Sequence, residues 1–287
     1  MRLGVVGMLP PDFREIGNQD LAAIKALELS GVAFHAPADQ LVSISAEECH
    51  QVRDRIAAAD MELPQFGIGF SECLFDPNPE VRDQVVGKIE RGIEVARDLA
   101  AHTCLIRTGS LNPEGSYAPA KANRSPEARA QLVETLKRIA AKAEAEAVSI
   151  VIETHLLTIM GSPEINRDVL REVGSEQMGV VMDYVNHFQN LDQVYQSTQR
   201  LEQIFAIMNP IAPVGHCKDI KLSNGLVLHI DEEIPGDGEL DIATALKLWH
   251  DAHPDGYMLL EHLPNEKYPR AAANVHRILA DAKIPVY

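Results

Sequence analysis

The chain has 287 residues, 46% of them hydrophobic and 24% charged, which is enough apolar content for a packed core and too much for wholesale disorder. Asp and Glu number 42 against 26 Lys and Arg, a formal net charge of −16, so the surface repels phosphate backbones and nucleic acid is set aside as a partner. There is no secretory h-region and no apolar run near the roughly 20 residues that cross a bilayer, and the four cysteines lack CxxC spacing; a reduced, cytoplasmic protein without membrane contact is expected.

Along the chain, short apolar runs alternate with helical stretches. A first strand is predicted at 3–7 (LGVVG) and a second at 31–35 (GVAFH). Ser45 and Glu48 then form a capping box ahead of a helix. The third strand is ELPQFGIGF, 62–70, and Asn78-Pro79 opens a helix running to about Ala101. The fourth strand is TCLIRTG, 103–109, and Ser125-Pro126 starts the next helix. VSIVIETH, 148–155, is the fifth strand, followed by the Ser162-Pro163 helix start. The sixth and seventh strands are MGVVMDY, 178–184, and APVGHCKDI, 212–220. Asp241 caps a helix, GYMLLEHL at 256–263 is the eighth strand, and YPRAAANVHRILADA is the last helix. Nearly continuous apolar runs are expected of strands covered on both faces.

This alternation predicts an α/β protein, a single (β/α)₈ TIM barrel with residues 1–287 as one domain. An open doubly wound sheet is the lesser alternative that alternation alone allows; the spread of polar strand ends decides against it. Two connections are long, 109–124 after the fourth strand and 221–239 after the seventh, and long connections are often active-site loops.

Polar residues break the pattern where the last four strands end: Glu153 and His155 on the fifth, Asp183 on the sixth, His216 and Lys218 on the seventh, Glu261 and His262 on the eighth. In a closed barrel these ends converge on the face where barrel active sites form. Three carboxylates and an imidazole repel one another without a counter-charge, and one divalent ion resolves that conflict. The set Glu153, Asp183, His216 and Glu261 suits Mn²⁺ or Mg²⁺ first, with Co²⁺ or Zn²⁺ as alternatives. Lys218 shares a face with His216, and His155 with Glu153, by period two. Arg107 in the fourth strand is a candidate for an anionic substrate group. His35, His187, His229 and His262 are candidate rim residues, and Tyr117 and Arg124 lie in the fourth-strand loop.

The Glu-x-His after strand five, Asp-x-x-Asn after strand six, His-x-Lys-Asp after strand seven and the late Glu resemble the xylose isomerase-like barrels, within them the sugar phosphate isomerase/epimerase family. The resemblance spans essentially the whole chain. It implies a metal held by Glu153, Asp183, His216 and Glu261, with the two glutamates also moving protons. Arg107, His155, Asn186, His187 and Lys218 are the candidate substrate contacts. The PGDGELD segment, 235–241, looks like the family's entry to the seventh helix, and a tight turn before an N-cap accounts for its glycines. Many sugar epimerases of the family carry His where this chain has Asn186, and a second Glu where it has Ile159.

The expected function is isomerisation or epimerisation of a small keto sugar or sugar-acid derivative through a metal-stabilised enediolate. The alternative is a lyase acting on a keto sugar or keto sugar acid, in which the enolate expels a β-hydroxyl (dehydration) or arises by loss of CO₂ (decarboxylation). A sugar-binding barrel without catalysis and an endonuclease branch of the fold are further readings, the second opposed by the acidic charge. By analogy between barrels, a homo-oligomer is expected.

Overall fold

Each of the eight apolar runs becomes a strand, and the fourth to the eighth end on, or one residue before, a charged residue. The structure is a computed structural model describing residues 1–287. Its strands are β1 (Arg2–Val6), β2 (Gly31–Pro37), β3 (Glu62–Gly69), β4 (Thr103–Arg107), β5 (Ile150–Glu153), β6 (Met178–Met182), β7 (Val214–Cys217), β8 (Asp219–Ser223), β9 (His229–Glu233) and β10 (Tyr257–Leu260). β1 to β7 and β10 close into a parallel barrel, with β10 between β7 and β1. The helices are α1 (Asn18–Lys25), α2 (Ala38–Leu41), α3 (Ala46–Ala58), α4 (Pro79–Asp98), α5 (Pro126–Glu146), α6 (Pro163–Val173), α7 (Leu191–Tyr195), α8 (Ser197–Met208), α9 (Ile242–Ala252) and α10 (Tyr268–Asp281). None is long and apolar enough to cross a membrane.

The start signals act as expected. Ser45 and Glu48 form the reciprocal capping box of α3. Asn78, Ser125, Ser162 and Asp241 each accept a backbone N–H at the start of α4, α5, α6 and α9; such a cap contributes about 1 kcal/mol. α4 stops at Asp98, short of Ala101, because Ala100 turns left-handed with φ 53°.

The long connection after the seventh strand folds in part. β8 and β9 pair antiparallel through Ser223↔His229 and Asp219↔Glu233. The turn carries Asn224-Gly225, a hairpin signal that lies inside the segment read as a loop. β7 ends at Cys217, so the chain breaks at Lys218 and restarts in the hairpin.

Apolar side chains fill two places. A large cluster lies between strands and helices. A second cluster of Ala33, Leu105, Val151, Val181, Val214, Tyr257 and Leu259 plugs the barrel interior. Each fully buried Val or Leu of such a plug contributes about 1.5–3 kcal/mol. Because strand side chains alternate faces, the residue two places after each plug member also points inward. These residues are His35, Arg107, Glu153, Asp183, His216 and Glu261. The apolar plug therefore sets the floor on which the polar cluster stands.

Candidate metal centre

Glu153 closes β5, Asp183 follows β6, His216 lies in β7 and Glu261 follows β10. One ligand atom from each lies within 4.8 Å of all the others, and all four residues are buried. The barrel thus brings the four sequence-predicted ligand residues together.

Their hydrogen bonds divide each side chain into a held end and a free end. Glu153 Oε2 accepts from Arg107 Nε at 2.9 Å and from the Tyr117 hydroxyl at 2.5 Å. Asp183 Oδ2 accepts from Lys218 Nζ at 2.7 Å and Asn186 Nδ2 at 2.8 Å. His216 Nε2 lies 3.0 Å from Gln65 Oε1, an oxygen that only accepts, so Nε2 carries a proton and Nδ1 is the ring atom turned toward the carboxylates. His216 Nδ1 lies 2.5 Å from Glu261 Oε2, yet their approach makes no hydrogen bond. Asp183 Oδ1, His216 Nδ1 and Glu261 Oε2 are all buried without a hydrogen-bond partner.

Three atoms without a hydrogen bond in one buried cluster are costly, and the ion-pair contacts of Glu261 Oε2 with His216 and Lys218 offset that cost only in part. A cation between them satisfies all three, so the donor set fits a divalent metal. Oxygen donors with one imidazole and no thiolate suit Mg²⁺ or Mn²⁺; Cys217 instead packs against the Tyr184 hydroxyl.

The electrostatics are those of a strongly coupled site. Burial resists charge on Asp183, but Lys218 and His216 overcome it and hold the carboxyl down at about 2. Burial likewise opposes ionisation of Glu261 and Glu153, and the neighbouring cations still keep both below the usual carboxylate range. Burial pulls His216 down, while Glu261 and Asp183 raise it to about 9. Lys218 is buried with its ammonium 2.7 Å from Asp183 and 3.2 Å from Glu261; despite burial these carboxylates hold it well above its ordinary value.

Of the other sequence candidates, Arg107, Asn186 and Lys218 join the cluster. His155 stands at the rim, its ring edge against Tyr117 at 5.5 Å and its Nδ1 accepting from Leu157 N. His187 is not brought in: its fully buried ring meets Thr154 Oγ1 at 3.3 Å. Thr154 sits between Glu153 and His155 and faces the opposite side of the strand, so His187 belongs to the barrel–helix layer. His35 does face the mouth, and Gly67 makes room for it, since a Cβ there would lie 1.9 Å from its Cδ2.

Three contributors were not singled out as part of the centre. Gln65 is a lone polar residue in the buried run of β3, which is itself a signal. Tyr117 was only one of two loop candidates. Glu232 comes from the hairpin, 3.1 Å from His262 Nδ1 and 3.8 Å from Lys218 Nζ. The PGDGELD turn also does more than turn. The Gly236, Gly238 and Leu240 N–H groups, with that of Ile220, donate to the buried Asp219 carboxylate. A Cβ on Gly238 would lie 2.3 Å from Asp219 Oδ1, so the glycine lets the turn wrap the residue that follows Lys218.

The model of the xylose isomerase-like TIM barrel family matches residues 21–279. No curated protein sequence matches the chain. Among solved structures, 3-keto-D-glucoside 4-epimerase from E. coli superposes with a TM-score of 0.71 at 14% identity, covering 96% of this chain and 99% of that one. D-psicose 3-epimerase with D-tagatose, from Clostridium cellulolyticum H10, gives 0.69 at 13% identity, covering 99% and 98%. A xylose isomerase-like TIM barrel protein from Mycobacterium smegmatis in complex with magnesium gives 0.71 at 14%, covering 98% and 96%. At these identities the likeness shows the fold alone.

Proposed function

Because the chain belongs to the xylose isomerase-like TIM barrel family, we propose that it is a divalent-metal-dependent isomerase or epimerase of a small keto sugar or sugar-acid derivative. The observation that carries this reading is the group of three partnerless, buried donor atoms on Asp183, His216 and Glu261, at the mouth of a barrel shared with two sugar epimerases.

Glu153, Asp183, His216 and Glu261 would hold the ion, which when bound supplies a Lewis acid for a carbonyl and its neighbouring hydroxyl. Glu261 is the better placed base, because its Oε2 accepts no hydrogen bond and its carboxyl is kept ionised. Glu153 has one oxygen already taken by Arg107 and Tyr117, so its part in proton return runs through that pair. β6 and β7 separate β5 from β10, so the two glutamates reach a substrate from different directions. Lys218 supplies positive charge beside the oxygens of a deprotonated substrate. Asn186 steadies Asp183, and His155 lines the rim.

Lys218 also keeps the lyase reading open, since an ammonium beside an enolate's oxygens stabilises it equally well whether the enolate then expels a β-hydroxyl or is itself formed by loss of CO₂. The metal-loaded protein should be incubated in D₂O with keto sugars and their acids, and the products read by NMR and mass spectrometry. Exchange of a C–H for deuterium with no loss of water or CO₂ marks an isomerase or epimerase; such a loss marks a lyase. Tight binding with no exchange and no new product would sink both.

A further inference from the structure

We infer that Arg107 is a carboxylate clamp beside the metal centre and that the substrate is a keto acid of the sugar series rather than a neutral ketose; this rests on the function proposed above. The mouth contains two permanent cations near the four ligands, and they differ in what remains free. Lys218 is 3% exposed, and its ammonium is shared among Asp183, Glu261, Glu232 and His262. Arg107 spends only its Nε, on Glu153. Its carbon centre lies 5.2 Å over the Tyr117 ring, its side chain is 31% exposed, and neither terminal nitrogen meets a protein acceptor.

A guanidinium pinned at one end and open at the other presents a planar fork that matches a carboxylate with two parallel bonds. The pinning removes most of the side-chain freedom that binding would otherwise cost. Arg107 is the cross-strand neighbour of Glu153, so a small molecule at the ligand cluster can reach the open fork. Lys218 is already enclosed by carboxylates, so an anionic substrate group finds its open cation at Arg107. His35 Nε2, buried and partnerless, adds a polar contact for a hydroxyl.

The test uses the full chain loaded with Mn²⁺ and two probe pairs that differ only by carboxylate against hydroxymethyl: hydroxypyruvate with dihydroxyacetone, and 5-keto-D-gluconate with L-sorbose. Calorimetry and water-proton relaxation of the bound Mn²⁺ read binding without turnover. In at least one pair the acid should bind tenfold or more tightly than its neutral partner. Arg107→Lys should remove most of that preference in protein kept saturated with Mn²⁺, so that the acid-to-neutral ratio is read apart from any change in metal affinity. Equal binding within both pairs, or a preference that Arg107→Lys leaves intact, overturns the clamp. If that variant does not fold, phenylglyoxal labelling of the wild type decides. The acids, and not the neutral partners, should protect Arg107 in the peptide mass map, and equal protection overturns the inference. A chain that takes up no Mn²⁺ sinks the proposed function instead, and the labelling experiment still judges the clamp.

Discussion

The Tyr117 hydroxyl donates to Glu153 Oε2 at 2.5 Å, so the long connection after β4 closes directly on a carboxylate of the barrel. The loop is braced for this. Ser110 Oγ donates to Ala118 O, and Asn123 Oδ1 accepts from Leu111 N across its base. Burial and the neighbouring Glu153 push the Tyr117 phenol far above its ordinary range, so it stays a donor at any working pH.

Tyr117→Phe keeps the ring over Arg107 and removes only this bond. A hydrogen bond to a charged group contributes about 1.5–3 kcal/mol, which corresponds to roughly ten- to a hundredfold. We expect kcat/KM to fall by that factor while metal content per chain is unchanged. Steady-state kinetics with elemental analysis checks it; activity within about twofold of wild type would remove Tyr117 from the site.

Metal uptake should be coupled to a proton. Without metal, His216 is raised to about 9, so below that pH the ring holds a proton that must leave before Nδ1 can coordinate. Metal affinity should therefore climb about tenfold per pH unit as pH rises toward 9 and level off beyond it. Mn²⁺ titrations followed by electron paramagnetic resonance at several pH values measure this. An affinity flat with pH would mean that His216 is not a ligand.

His187 carries a different pH signature. Burial holds its folded value down at about 4, against 6.5 for the free side chain. Between those values the unfolded chain binds a proton that the folded chain refuses. The stability it contributes is thus complete above about 6.5 and is lost as pH falls toward 4, by about 3 kcal/mol in all. Urea melts of wild type and His187→Gln across that window should differ in slope, the variant losing less stability on acidification. Identical slopes would place the ring in contact with solvent.

The barrel was legible because burial on both faces forces unbroken apolar runs, and only eight segments of the chain satisfy that demand. The candidate metal cluster was legible for the complementary reason: Glu153, Asp183, His216 and Glu261 are the charged or ligating residues that end four such runs. Contacts set by loops left little trace. Tyr117 looks like any aromatic in a 16-residue connection, and Glu232 reaches Lys218 only through the hairpin that turns at Asn224-Gly225 inside the second long connection. His187 and Asn186 show the limit of spacing. They are adjacent in sequence, yet a single turn of 3₁₀ helix sends one to Asp183 and the other behind β5.

Ligand and catalyst can be separated by which oxygen each residue has free. Asp183→Asn, or replacement of His216 by Asn, removes a ligand without removing the proposed base. Both variants should bind metal more weakly and recover part of their activity in excess metal. Glu153→Gln is less clean, because the amide must turn its N–H₂ either toward the ion or toward the Arg107 and Tyr117 donors, so metal affinity should fall along with the rate. Glu261→Gln meets no such conflict at Oε2, which accepts no hydrogen bond. It should retain metal, more weakly than wild type, and stay inactive when saturated. A general base typically contributes about 10²- to 10⁴-fold, so the loss should reach at least the lower figure. Exchange of the substrate's α-hydrogen in D₂O, followed by NMR, reads the proton step itself. If the saturated Glu261→Gln protein exchanges that hydrogen at the wild-type rate, Glu261 is a ligand only. The base would then be Glu153 or His155, whereas Lys218 is held as an ammonium and His187 is sealed behind β5.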